Sequence, residues 1–173
     1  DLTGMEVQRA IAVDCIEKYT DHPLNGSFAG RQRDCRQSFN KLSAHALKGT
    51  DPATKVLAGI IDYRDQEVAP ATMAVFENRL GGRICVAGYY PWRFLQNLSK
   101  AAQLKGVLRW LSRDSLDAYV GSYHRIALWA RRPGEGGLAV ALINASLDPA
   151  ARVDLLLRTQ AARVVVADQG CSE

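Results

Sequence analysis

The sequence predicts a β-rich α+β chain, with one long helix in a first region, 1–115, and an antiparallel β domain in a second, 116–173. Three observations lead there. Short β-branched and apolar runs recur along the chain, bounded by Gly, Pro, Asn and Asp. One stretch alone, Leu95 to Arg113, repeats apolar residues every three or four positions over the length of a helix. The 173 residues are 47% hydrophobic and 23% charged, which is the composition of a folded globular protein with a real core.

The elements follow in order. Ala10, Ala12, Cys15 and Ile16 form a partly alternating patch that fits a strand. Residues 21–40 read as a polar loop punctuated by Pro23, Gly26 and Gly30, with Arg31, Arg33, Asp34 and Arg36 crowded together. Loops of this length commonly carry function or an interface. Leu42–Leu47 is a short strand pattern, and Lys55–Tyr63 and Thr72–Glu77 are stronger ones. Arg83–Tyr90 is almost continuously apolar, as expected of a strand buried on both faces. The connections at Arg64–Ala69 and Asn78–Gly82 are too short for a parallel crossover, so these last three strands should be antiparallel neighbours, with Gly81-Gly82 reversing the chain.

In the helix, Leu98, Ala101, Leu104, Leu108 and Leu111, with Val107 beside them, define an expected inner face. Lys100, Gln103, Lys105 and Arg109 fall on the expected outer side. Asn97 or Ser99 can cap the start, and Gly106 costs about 1 kcal/mol relative to Ala inside a helix. Beyond Leu116 the pattern changes. Tyr123–Ala130, Leu138–Asn144, Val153–Leu157 and Arg163–Ala167 read as strands, with turns at Pro133–Gly137 and Ser146–Pro149. A boundary near Ser115 is expected, and the charge balance shifts at the same place.

The net charge of +4 comes from cations in 1–115 that are diluted by acids, giving a mildly basic surface and no expectation of a nucleic-acid partner. No apolar run approaches the roughly 18 residues of a membrane span. The chain opens at Asp1 on residues that read as mid-protein sequence without a signal peptide. We expect a piece of a longer protein and favour a cytoplasmic setting. Cys15, Cys35, Cys85 and Cys171 form no C-x-x-C pair and lack histidines at ligand spacing, so free thiols are expected, with no metal and no cofactor. Cys85 reads as a core residue. N-x-S triplets at Asn25, Asn97 and Asn144 stand without other signs of glycosylation.

Catalytic motifs are missing. The chain has no G-x-S-x-G or G-x-C-x-G elbow, no phosphate-binding glycine loop and no H-E-x-x-H. Asp21-His22 is the best candidate for a reactive pair, since a carboxylate can orient an imidazole; the alternative is that the two residues begin a turn before Pro23. Glu77 is a candidate acid at a strand end with Arg79 as its ion-pair partner, but a glycosidase needs a second carboxylate that the sequence does not identify. Tyr89, Tyr90, Trp92 and Phe94 form an aromatic cluster open to three readings: packing under the helix, an interface, or contact with a ligand such as a sugar. Trp110 and Trp129 read as core.

Val56-Leu57-Ala58-Gly59, the strand at Pro70, Glu77-Asn78-Arg79-Leu80-Gly81-Gly82-Arg83, Gly88-Tyr89-Tyr90-Pro91-Trp92 and Gln103-Leu104 to Trp110-Leu111 stand in an order that resembles the glutamine-amidotransferase-like domain found behind the catalytic barrel of bacterial glycoside-hydrolase-like proteins. The trimerisation domain of family 42 β-galactosidases is similar to it. The tail after Leu116, with Val140-Ala141-Leu142-Ile143-Asn144, resembles the small β-sandwich that closes such proteins. The resemblance covers about 40–160. It implies a partial amidotransferase/flavodoxin-like layer with one long helix, followed by a small antiparallel β-sandwich-like domain. It carries over no catalytic residue, because the parent's catalytic carboxylates lie on a barrel and the amidotransferase Cys-His-Glu set is missing here. The functional expectation is a non-catalytic accessory and oligomerisation region of a carbohydrate-active hydrolase. Its partners would be further copies of itself or a preceding part of the same protein. Tyr89, Tyr90, Trp92, Phe94, Arg31, Arg33 and Arg36 are its expected contact residues. The alternatives are a carbohydrate-binding module that uses the aromatic loop, and a small autonomous hydrolase that uses Asp21, His22 and Glu77.

Overall fold

In the computed structural model, which describes residues 2–13, 15–35, 42–122, 124–134, 136–158 and 165–166, the chain is β-rich, with 43% strand, 16% helix and several antiparallel sheets. It divides into two compact units, Asp1–Asp114 and Ser115–Glu173.

In the first unit, nine-residue β1 (Met5–Val13) pairs antiparallel with β4 (Leu42–Gly49) as a two-stranded ribbon. A five-stranded antiparallel sheet runs in the order β3-β2-β5-β6-β7, from β2 (Ile16–Tyr19), β3 (Gln32–Asp34), β5 (Lys55–Ile61), β6 (Glu67–Glu77) and β7 (Arg83–Ala87). The three strands read as antiparallel neighbours, β5, β6 and β7, are neighbours in that sense. The most deeply buried of them is β6, whose alternation serves two layers. Met73 and Val75 pack with Leu104 and Val107 of the helix, while Ala74 and Phe76 pack with Met5 of β1 and Leu47 of β4. The sheet is therefore sandwiched between the helix and the β1–β4 ribbon.

Several expectations need correction. Arg83–Tyr90 was expected to be buried on both faces, but β7 ends at Ala87, occupies a sheet edge and is half-buried along its length. Its Cys85 and Ala87 pack against the helix-side cluster and Val86 against the ribbon-side cluster, which accounts for an apolar run at an edge position. Cys85 accordingly is half-buried. The segment 21–40 is not all loop. A 3-10 turn occupies Pro23–Phe28, and β3 extends the sheet. Trp129, expected in the core, is 61% exposed.

The turn between β6 and β7 is built by Asn78, whose Oδ1 accepts hydrogen bonds from the Leu80 and Gly82 amides at 3.0 and 2.8 Å, with Gly81 at φ +80°. The loop after β7 makes a 3-10 turn at Pro91–Phe94 and enters α1 (Leu98–Leu111). Asn97 is the cap residue by position and makes no side-chain capping bond. In the second unit β8 (Ala118–Val120) pairs with β11 (Leu155–Leu157), and β9 (Ile126–Arg131) with β10 (Ala139–Asn144), all antiparallel. Strand β8 has no counterpart in the sequence reading. Of the expected strand Arg163–Ala167, only 165–166 lie within the described residues, as does all of Tyr123–Ala130 but its first residue.

Candidate functional site

The helix does not present the face its leucines suggest. Leu98 and Leu108 are exposed, whereas Ser99, Lys100, Gln103, Leu104 and Val107 are buried, with Lys100 and Gln103 at 0% exposure. A polar seam therefore runs between helix and sheet. Its sheet side comes from β2 and β3, where register places Arg33 opposite Glu17. Alternation puts Glu17 and Tyr19 on one face of β2, turned toward α1.

Glu17 is the hub. Arg33 Nη2 and Nε donate to its Oε2 at 2.6 and 3.1 Å. Lys100 Nζ donates to Oε1 at 2.7 Å, and the Tyr89 hydroxyl donates to the same oxygen. Lys100 also donates to the Tyr89 hydroxyl oxygen and to Gln103 Oε1. Gln103 Nε2 passes the chain on to Asn25 Oδ1 at 2.8 Å, and Asn25 Nδ2 donates to the carbonyls of Thr20 and Leu57. Tyr19 joins through Ser99 Oγ at 3.2 Å and by accepting from Arg33 Nε at 3.3 Å. Phe94 closes one side, with the Arg33 guanidinium 4.3 Å from its ring centre and Tyr89 edge-on at 5.8 Å.

Two cations share one carboxylate here. Burial pushes the Glu17 carboxyl up, but Lys100 and Arg33 outweigh it and hold it below its ordinary value. Burial pushes the Lys100 ammonium down, and Glu17 only partly restores it. Burial and the Glu17 charge raise the Tyr89 phenol well above its ordinary value. The arrangement has the ingredients of acid–base chemistry, but every member is sealed from solvent and engaged by another member. Chemically it is a closed, fully paired network, which fixes the helix against the sheet.

The sequence-predicted site residues separate into three groups. Tyr89, Phe94 and Arg33 belong to this interior, so their expected role as surface contacts is corrected: each is 7% exposed or less. Tyr90 and Trp92 point outward, at 64% and 45% exposure, and form a rim with Leu95 and Leu98 at 45% and 51%. Arg31 is exposed, and Arg36 lies outside the described residues. The proposed acid–base residues are not assembled. His22 is the cap of the Pro23–Phe28 turn, its Nδ1 accepting from the Leu24 amide at 3.2 Å, and burial followed by the Lys55 charge lowers its pKa. Asp21 is exposed beside it. Glu77 pairs with Arg83 at 2.9 Å and Arg113 at 3.4 Å, not with the expected Arg79, and the Arg83 hydrogen bond leads in lowering its pKa. Among the described residues no group of His, Cys, Asp and Glu could hold a metal ion, and no helix is long and apolar enough to cross a membrane.

Sequence reasoning missed Glu17, Lys100, Gln103 and Asn25. A signal did exist. Lys100, Gln103, Leu104 and Val107 share the three- and four-residue spacing of a single helix face, as the leucines do. The sequon at Asn25 is buried at 0% exposure with its amide committed, which excludes it as an acceptor in the folded chain. No family model, curated protein or solved structure matches the chain.

Proposed function

We propose that the chain is a non-catalytic accessory and assembly region of a carbohydrate-active hydrolase, with a second copy of itself as partner. The observation that carries this reading is the contrast between a sealed charged network and an exposed apolar rim in one loop-helix segment. Glu17, Arg33, Lys100 and Tyr89 are spent on one another, which leaves no accessible acid, base or nucleophile among them. Tyr90, Trp92, Leu95 and Leu98 stand exposed a few residues away. Aromatic and aliphatic groups clustered on a surface are the usual anchors of protein contacts. The order of motifs from Val56 to Leu111 supports a hydrolase-associated origin through its resemblance to the amidotransferase-like trimerisation domains. The finer architecture belongs to the same proposal: the helix-on-sheet unit is the later part of such a layer, and the second unit is the small β-sandwich. All described strand pairs are antiparallel, so the support for such a layer rests on the order of motifs and not on strand direction. Sedimentation equilibrium tests the assembly role. Self-association weakened by Trp92→Ala and Leu98→Glu supports it, and a strict monomer at high concentration overturns it.

The outward pose of Tyr90 and Trp92 also favours a second reading, a carbohydrate-binding surface on which the two rings stack against sugars. Calorimetric titration with galactosides and related oligosaccharides separates the two. Heat that disappears in Trp92→Ala supports sugar binding, and its absence across the series rejects it.

A further inference from the structure

Next to the charged seam lies a pair of thiols. Register pairs Ile16 with Asp34 and Glu17 with Arg33, so the next opposed positions are Cys15 and Cys35. The pairing continues there: the Cys35 amide donates to the Cys15 carbonyl at 2.9 Å. Both residues are sealed, at 0% and 1% exposure, within one cluster with Ile60, Tyr89 and Phe94. Directly opposed residues of an antiparallel pair have Cα atoms about 4.5–5.5 Å apart, inside the roughly 4.4–6.8 Å range that a disulfide bridges. Side chains at opposed positions also project to the same face.

The two thiols are chemically unequal. The Cys35 thiol donates to the Arg33 carbonyl at 3.7 Å, while the neighbouring Cys15 side chain lowers the pKa of Cys35 against its burial and the Arg33 guanidinium adds to the effect. Cys15 is raised by the same contact and by burial. Cys35 is therefore the better thiolate. Access follows from topology. Strand β3 is a three-residue edge strand hydrogen-bonded to β2 alone, and such a strand opens at lower cost than the centre of the sheet.

We propose that Cys15 and Cys35 form a reversible dithiol–disulfide couple that exchanges with small-molecule disulfides of the glutathione class. The Cys35 thiolate attacks one sulfur of oxidised glutathione, forming a mixed disulfide and expelling one glutathione thiolate. Cys15 then loses its proton to that thiolate and attacks the Cys35 sulfur, and the second glutathione leaves. Two protein thiols are oxidised, one glutathione disulfide is reduced to two thiols, and the new bond ties β2 to β3 beside Glu17 and Arg33.

The test uses the full chain equilibrated with oxidised glutathione, then alkylated in denaturant, digested and mapped by mass spectrometry. The expected result is a Cys15–Cys35 cross-linked peptide, a fall in alkylatable thiols from the four of the sequence to two, and full recovery with dithiothreitol. The oxidised chain should also unfold at a higher temperature than the reduced one, a difference that vanishes in Cys15→Ala/Cys35→Ala. Free Cys15 and Cys35 after equilibration would overturn the proposal. So would a cross-link of either to Cys85 or Cys171, or a mixed disulfide at Cys35 that never resolves. The wild-type peptide map decides the matter even where the double variant fails to fold.

Discussion

Glu17 and Lys100, 83 positions apart in sequence, meet as a buried ion pair of 2.7 Å with side-chain exposures of 1% and 0%. The pair joins the second strand to the only helix among the described residues of the first unit. It is also unbalanced, because Arg33 claims the other oxygen of the same carboxylate.

That imbalance predicts unequal costs for removing its members. Glu17→Gln leaves two buried cations without a counter-charge and should destabilise the fold by about 3–5 kcal/mol, the range for breaking a buried pair from one side. Lys100→Met leaves the neutral Arg33–Glu17 pair intact and fills the same space with an unbranched apolar chain, so its cost should be clearly smaller. Urea unfolding of the two variants against the parent measures the difference. Equal losses would show that the network does not share charge as its geometry indicates.

The same groups predict how stability varies with pH. Glu17 has its folded pKa below the ordinary 4.5, so its stabilisation is present above 4.5 and lost as pH falls through the depressed value. Lys100 sits below the ordinary 10.5, so the penalty of burying its ammonium is in force at neutral pH and is relieved as pH climbs toward 10.5. Tyr89 is held above 10.0, and its contribution is lost only as pH rises beyond that value. Unfolding midpoints should therefore rise with pH up to about 4.5 through Glu17, rise again as Lys100 loses its proton on the approach to 10.5, and fall at higher pH as Tyr89 ionises in the unfolded chain. In Lys100→Met the alkaline part of the rise should flatten, and the acid limb should shrink as well, because Lys100 leads the charges that hold the Glu17 carboxyl below its ordinary value.

The sequence carried the strands of the sheet better than the site. Strands β5, β6 and β7 declare themselves because β-branched runs, short connections and the Gly81-Gly82 turn are local signals. Helix α1 was legible in position but not in rotation. Its leucines mark a face rotated from the one that is buried, and a periodicity argument assigns polar residues to solvent by default. Lys100 and Gln103 defeat that default because their partners Glu17, Tyr89 and Asn25 come from distant elements. Strand β3 was hidden for the same reason. Gln32-Arg33-Asp34 is polar throughout, and Arg33 is buried only because Glu17 waits opposite it.

Gly106 offers a test in which two effects oppose each other. Within an exposed helix, Gly→Ala stabilises by about 1 kcal/mol. A Cβ at Gly106, however, would fall on the backbone carbonyl oxygen of Leu24, in the 3-10 turn packed against the helix. Neither side can yield without displacing backbone, so steric cost should win, with a net loss of about 1–3 kcal/mol. Helix α1 would be forced away from Leu24, and the Gln103–Asn25 hydrogen bond should weaken with it. A stabilised Gly106→Ala variant would refute the close packing of helix and turn.

The aromatic loop gives the last prediction, since its two halves should respond to different measurements. Tyr89→Phe removes the hydroxyl that donates to Glu17 and accepts from Lys100, leaving each with one partner fewer while Glu17 keeps Arg33 and Lys100 keeps Gln103. The expected loss is about 1–3 kcal/mol of folding stability, the worth of hydrogen bonds to buried charged groups. Tyr90→Phe, one residue on, removes a hydroxyl from a ring that is 64% exposed and should stay within about 0.5 kcal/mol of the parent. Trp92→Ala should likewise leave monomer stability nearly unchanged but weaken self-association, because its ring contributes surface and not core. Chemical denaturation at low protein concentration reads the first effect, and sedimentation at high concentration reads the second. The loop divides as described if Tyr89→Phe moves only the denaturation midpoint and Trp92→Ala moves only the association constant. If both variants moved both measurements, the inward and outward halves would be a single packed unit, and the rim would lose its claim to be a contact surface.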